Sequence, residues 1–304
     1  MKNKLQSHRK LMALVMLLTG ICVSPVLAQD IIRQRVEQWQ QSDQEDDQTE
    51  RRIWLLMNRG ETKPPASNKT KYKKSNPKPH QSSNTIKAQA ETIEETAVGI
   101  TIWRLPPSET DDLKATRIEA NTPISAGDQI FLTVEAPRDG YLYVIDREKY
   151  ADEKLGAPDM IFPITRIRNG DNYIKAGFLV RIPDRGAPKL YFTVTSQTPK
   201  HIGEALTIII KPDRIENLPI KATIYTLPEE DFKKWENEWD TSTDIEQFNL
   251  VDGADQKITA AEKESSNEGK RKLTYDDPLP QNIYRLVVKK GNPIFITLPL
   301  SLKR

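Results

Sequence analysis

Histidine and cysteine, the side chains that most often serve as general base, nucleophile or metal ligand, are nearly missing here: three histidines and one cysteine in 304 residues. His8 and Cys22 fall within the first 28 residues and His80 within a lysine-rich stretch, so His201 is the one imidazole left to the remainder. A Ser-His-Asp site would have to be built on His201, which sits in the turn-like QTPKHIGE, and a histidine-rich zinc site lacks the ligands. Carboxylates are plentiful. Asp111-Asp112, Asp276-Asp277 and Glu229-Glu230-Asp231 could supply the paired acids of a glycosidase, but adjacent acids are also what solvated turns and helix starts favour. DTSTD at 240–244 lacks the glycine and full ligand sequence of an EF-hand loop. There is no GxxxxGK[ST], no GxGxxG and no basic stripe interleaved with aromatics, so nucleotides and nucleic acids have no support. The chemistry that remains is recognition. Arg138, Asp139 and Tyr141 place charge beside an aromatic at a turn and are the candidate binding residues, against the plainer reading of a solvated turn with a buried tyrosine.

The elements that must position these residues begin after an export signal. Lys2, Lys4, Arg9 and Lys10 precede an apolar run from Leu11 to Val23, and Val26-Leu27-Ala28 ends in a small residue, which predicts cleavage after Ala28. The apolar run is shorter than the ~20 residues of a membrane span. Ile21, in front of Cys22, disfavours lipid attachment there. Cleavage would remove the only thiol, and with it disulfides and thiolate chemistry. The leader carries four basic residues and no acid, so the net charge of +2 falls to near neutrality without it and is no argument for a polyanionic partner.

Residues 29–60 form an amphipathic segment, with Ile32, Val36 and Trp39 at helical spacing, an acidic middle and an apolar run at Ile53 to Met57. Residues 61–92 contain seven lysines, two acids and little to bury, a composition that predicts a disordered tether. From 93 to 304 strand patterns dominate: 98–105, 129–134, 141–145, 160–162, 173–182, 190–195, 205–210, 222–227, 283–288 and 294–302. The first clear pair, 129–134 and 141–145 about Pro137 to Gly140, is expected to be a hairpin, and so is the last pair about Lys289 to Asn292. One helix is expected after a capping box of Thr226 and Glu229, with Phe232, Trp235 and Trp239 on one face. Those aromatics suit a core cap better than a sugar-stacking platform. The fold class expected is therefore mainly β, an antiparallel β-sandwich of immunoglobulin-like general architecture with one short amphipathic helix.

The runs GDQIFLTVEAPRDGYLYVIDR at 127–147, IFP at 161–163, NYIKAGFLVRIP at 172–183, FTVT at 192–195, GEALTIIIKP at 203–212 and DDPLPQNIYRLVVKKGNPIFITLPL at 276–300 resemble, in order, a bacterial family catalogued as a domain of unknown function and numbered four-three-eight-four. The resemblance implies a secreted or envelope-located β-rich domain, found alone or attached to signalling or protease-like modules, with no catalytic residue assigned. The expectation is a secreted or envelope-associated, non-enzymatic module, periplasmic, at the cell surface or extracellular. It would bind an envelope protein or surface polymer and need no cofactor, no metal and no nucleic acid. A carbohydrate-binding or carbohydrate-active protein and a self-assembling envelope protein are the alternatives.

Overall fold

Runs of β-branched and aromatic residues become strands from Ile93 to Ser301. Among the described residues they are β1 (Ile93–Leu105), β2 (Thr116–Ile118), β3 (Gln129–Glu135), β4 (Gly140–Tyr150), β5 (Asp159–Phe162), β6 (Tyr173–Ile174), β7 (Leu179–Ile182), β8 (Phe192–Thr193), β9 (His201–Lys211), β10 (Tyr225–Thr226), β11 (Ile245–Asn249), β12 (Asn282–Lys289) and β13 (Ile294–Ser301). Two helices join them, α1 (Glu229–Trp239) and α2 (Ala260–Ser266). This computed structural model describes Trp54, Arg59 and residues 93–303, apart from 107, 108, 110, 120, 197, 240–244, 250–255, 268 and 269. All belong to the unit Glu50–Arg304. The leader, the run Ile32, Val36 and Trp39, the lysine-rich stretch and the DTSTD loop lie outside the described residues.

The strands form two antiparallel sheets. The seven-stranded sheet runs β11-β12-β1-β3-β7, with β2 on β1 and β8 on β3; the six-stranded sheet runs β10-β5-β4-β9-β13, with β6 on β4. One face of each contributes to a shared apolar core: Val98, Ile100, Leu132, Val134 and Leu286 from the first sheet, Leu142, Val144, Ile208, Ile210 and Ile296 from the second. Neither expected hairpin forms. β3 pairs with β1, β7 and β8 while β4 pairs with β5, β6 and β9, and β12 and β13 likewise part into different sheets. The physical reason lies in burial on both faces. β3 is buried from Ile130 to Glu135, so its residues of both parities need cover, and the chain meets that by crossing to the opposite sheet rather than folding back beside itself. Pro137, without an N–H, also breaks the ladder where a tight hairpin would continue it.

Among the described residues the chain forms two α-helices where one was expected. α1 forms where expected, but Thr226 does not cap it, because its hydroxyl donates to Asp159 Oδ1 at 2.6 Å. The capping box belongs to α2, which was not anticipated: Thr259 Oγ1 accepts from Glu262 N, and Glu262 Oε2 accepts from Thr259 N at 2.9 Å. Glu262 also accepts from Arg117, whose guanidinium lies 5.0 Å from the Trp103 ring centre. Trp103 stacks on Phe131 at 5.8 Å, and Arg181 covers the far side of Phe131 at 3.9 Å. This cation-ring-ring-cation row closes the outer face of the seven-stranded sheet. On the six-stranded sheet, Phe232 and Trp235 of α1 perform that role over Tyr143, Ile145, Ile209 and Phe295.

Arg59 and Trp54, which precede the lysine-rich stretch, are buried in this unit. Arg59 donates from Nε and Nη2 to the two Glu135 carboxylate oxygens at 2.8 and 2.7 Å, from Nη1 to the Thr274 and Asp277 carbonyls at 3.0 and 2.9 Å, and from Nη2 to the Pro278 carbonyl at 3.0 Å. All five guanidinium N–H groups are thereby used. The carbonyls are held in place because Asp277 Oδ2 accepts from Thr274 N and Oγ1 at 2.6 and 2.9 Å. Trp54 enters a slot that exists because residue 99 is glycine: a Cβ there would lie 2.8 Å from Trp54 Cη2 and closer still to Pro280.

Removing Arg59 leaves the Glu135 carboxylate buried and alone, so Arg59→Ala is expected to cost about 3–5 kcal/mol of stability in urea unfolding. The double change Arg59→Met with Glu135→Leu is expected to recover most of that loss, and an additive loss would contradict the assignment. Truncation before Asp277 takes β12 from inside one sheet and β13 from the other. An insoluble product is expected, and a soluble truncation with a cooperative melt would oppose it.

Candidate functional site

The connections from β5 to β8 surround a cleft of about 310 Å3, at the lower end of the ~300–1,000 Å3 usual for ligand sites. Its floor is Ile174, Leu179 and Val180, its sides include Tyr173 and Phe178, and its rim carries Arg168, Asp171, Lys175, Asp184 and Arg185. Each wall is fastened. Asn172 places β6 by exchanging bonds with Leu142, giving Nδ2 to its carbonyl at 3.0 Å and receiving its N–H at 2.9 Å. Ser265 of α2 accepts the Leu179 N–H at 3.0 Å and so secures the outer edge of β7. At the opposite lip Arg168 and Asn169 are held at φ of 49° and 52°. The left-handed region costs a non-glycine residue about 1–2 kcal/mol, so two in succession need outside support. Asp184 supplies it, accepting the Arg168 N–H on Oδ1 at 3.1 Å and the Gly186 N–H on Oδ2 at 3.1 Å.

The residues singled out at the turn lie beside this cleft and brace it. Asp139 Oδ2 accepts from the Tyr173 hydroxyl at 3.2 Å and Oδ1 from the Ala176 N–H at 2.9 Å. Tyr141 meets Tyr173 edge to face at 5.3 Å and lies 5.2 Å under the Arg214 guanidinium. Arg138 points elsewhere, donating to Glu94 Oε1 at 2.6 Å and to the Asn292 carbonyl, and so ties the two sheet-crossing corners together. The lining residues Arg168, Lys175 and Arg185 were not singled out. The signal available was a local excess of basic residues from Arg166 to Lys189, set against Asp171 and Asp184 alone.

His201 is no turn residue but the buried first residue of β9. Its Nε2 lies 2.8 Å from the Gly203 carbonyl, which can only accept, so Nε2 carries a hydrogen. Glu204 Oε1 stands 3.2 Å from the same Nε2. Here the row of β4 and β9 residues continuous with Leu142, Val144, Leu206 and Ile208 changes from apolar to acidic, at Asp146, Glu148 and Glu204. Burial, reinforced by the Asp159 and Glu148 charges, pushes the Asp146 carboxyl up to about 7. Burial, with Asp146 and Glu148 adding, pushes Glu204 up to about 9. Among the described residues no group of three or more acids, histidines or cysteines is placed to hold a metal ion.

Among the described residues the tryptophans offer little to a sugar. Trp103 is wholly buried between Phe131 and Arg117, Trp235 is buried, and half-buried Trp239 stacks on Trp235 with ring centres 5.7 Å apart. Among the described residues no helix is long and apolar enough to cross a membrane.

The acidic row sets a pH dependence of stability. An unfolded chain releases these protons near pH 4, while the folded chain keeps them to about 7 and about 9. Between those limits the folded state binds more protons, so stability falls as pH rises from 5 to 9 and levels off above. Asp146→Asn is expected to flatten the lower part of this slope, so that its advantage over the parent in urea midpoint grows from pH 4 to pH 8; parallel profiles would contradict it. No family model, no curated protein and no solved structure matches this chain.

Proposed function

We propose that this chain is an exported, non-enzymatic binding module, a β-sandwich of immunoglobulin-like general architecture that engages an envelope protein or surface polymer through the cleft at its β5–β8 loops. The observation that carries the reading is the cleft itself. It combines an apolar floor, aromatic sides and a polar rim on loops whose positions are set by Asn172, Asp184 and Asp139. Loops braced by a rigid sheet framework are where binding residues concentrate. The leader pattern of the first 28 residues supports export, and the ordered motifs from Gly127 to Leu300 support kinship with the bacterial domain of unknown function numbered four-three-eight-four. A sugar-binding alternative is weaker, because the faces of Trp103 and Trp235 are already occupied.

A photo-crosslinking amino acid at Tyr173, which is 37% exposed on the cleft wall, tests this in the native host. The control position is Leu155, exposed beside Lys149 at the other end of β4. One recurring adduct from position 173 that is missing from position 155 is expected. The same adducts from both positions, or none from 173, would oppose a partner at the cleft.

A further inference from the structure

The charges around the cleft are unequally committed. Both Asp184 oxygens are taken by backbone N–H groups. Asp171 Oδ1 accepts the Tyr173 N–H at 3.0 Å, and its Oδ2 stands 3.6 Å from Arg168 Nη2. Arg181 donates to the Pro183 and Leu190 carbonyls and lies on Phe131, so it serves the fold. Arg185 also has an interaction of its own, which leaves two cationic groups. Lys175 is exposed and, among the described residues, has no ion-pair partner. Arg168 uses Nη2 on the Tyr173 carbonyl at 3.0 Å, but its Nη1 is buried and without a partner. A buried donor with nothing to bond is costly until an acceptor is brought to it. The left-handed backbone at Arg168 and Asn169 is the kind of strain that accompanies ligand sites.

We infer that the cleft takes a small amphipathic anion, a single acidic head on a ring-sized apolar body. This inference rests on the reading of the cleft as the binding site and adds the class of group that the partner presents there. The head is a carboxylate, sulfonate or phosphate met by Lys175 and the Arg168 guanidinium through charge-assisted hydrogen bonds. The body lies on Ile174, Leu179 and Phe178. A volume of about 310 Å3 admits one such group.

The test is a fluorescence titration of the full chain with two probes that differ only in charge, 8-anilinonaphthalene-1-sulfonate and its uncharged parent N-phenyl-1-naphthylamine. Saturable binding of the sulfonate is expected. Lys175→Gln, at an exposed position that leaves the fold intact, is expected to weaken it about fivefold or more, and Lys175→Gln with Arg168→Gln about tenfold or more. The uncharged probe should change less than about twofold in both variants, and Phe178→Ala should weaken both probes. If Phe178→Ala weakens both probes while the charge substitutions leave the sulfonate unchanged, the anionic class is overturned and the cleft survives as a binding site. If neither set of substitutions alters either probe, both readings fall. Unchanged thermal melts of the lysine variant separate loss of binding from loss of fold.

Discussion

The Arg59 guanidinium, closed on Glu135 by two parallel hydrogen bonds, is the constraint around which this structure is arranged. A fully buried ion pair is poor evidence of stability, because desolvating both charges costs several kcal/mol per ion. What distinguishes this pair is completeness: three backbone carbonyls take the remaining donors, so no N–H of Arg59 is left dry. The pair therefore selects one arrangement of three separated pieces of chain. It joins the segment before the lysine-rich stretch, the end of β3 and the continuous turn from Thr274 to Pro278.

From Glu135 the consequences run outward along the chain. The next four residues carry β3 into the opposite sheet, and their side chains act as internal fasteners: Arg138 locks this corner to the one at Asn292, and Asp139 holds Tyr173 and Ala176. Tyr173 in turn is a wall of the cleft. The latch and the candidate ligand site are thus linked through a handful of hydrogen bonds at the end of β3 and the start of β4. The opposite end of β4 holds the acidic row, where burial keeps protons on Asp146 and Glu204, so the two ends of one strand differ in the chemistry they present.

Much of the local structure was legible in the sequence, because strands announce themselves by β-branched and aromatic runs. The positions of β3, β12 and β13 follow from such runs almost to the residue, whereas β4 runs on to Tyr150 and β9 begins already at His201, where the runs turn polar. Pairing was not legible. The period-two pattern says that a segment is extended, but says nothing about which sheet receives it, and β3 with β4 looked like a hairpin because burial on both faces cannot be told from alternation across so few residues. Two capping boxes illustrate the same limit: Thr226 and Glu229 had the spacing but lost the threonine to Asp159, whereas Thr259 and Glu262 form the box. Arg59 carried no signal at all, since its partners lie 76 and 215 to 219 residues away. At the candidate site the turn at Arg138 to Tyr141 looked like a contact surface, and the structure uses it as a brace; the basic residues of the cleft were visible only as a charge imbalance that many solvated loops share.

Hydrogen-deuterium exchange comparing the chain from Gln29 with one starting at Ile93 tests the central claim, that residues before the lysine-rich stretch are a working part of the two-sheet unit. The account predicts that the shorter chain loses protection at the end of β3 near Glu135 and through Thr274 to Pro280, where Arg59 and Trp54 are seated. Equal protection of those segments in the two proteins would contradict it.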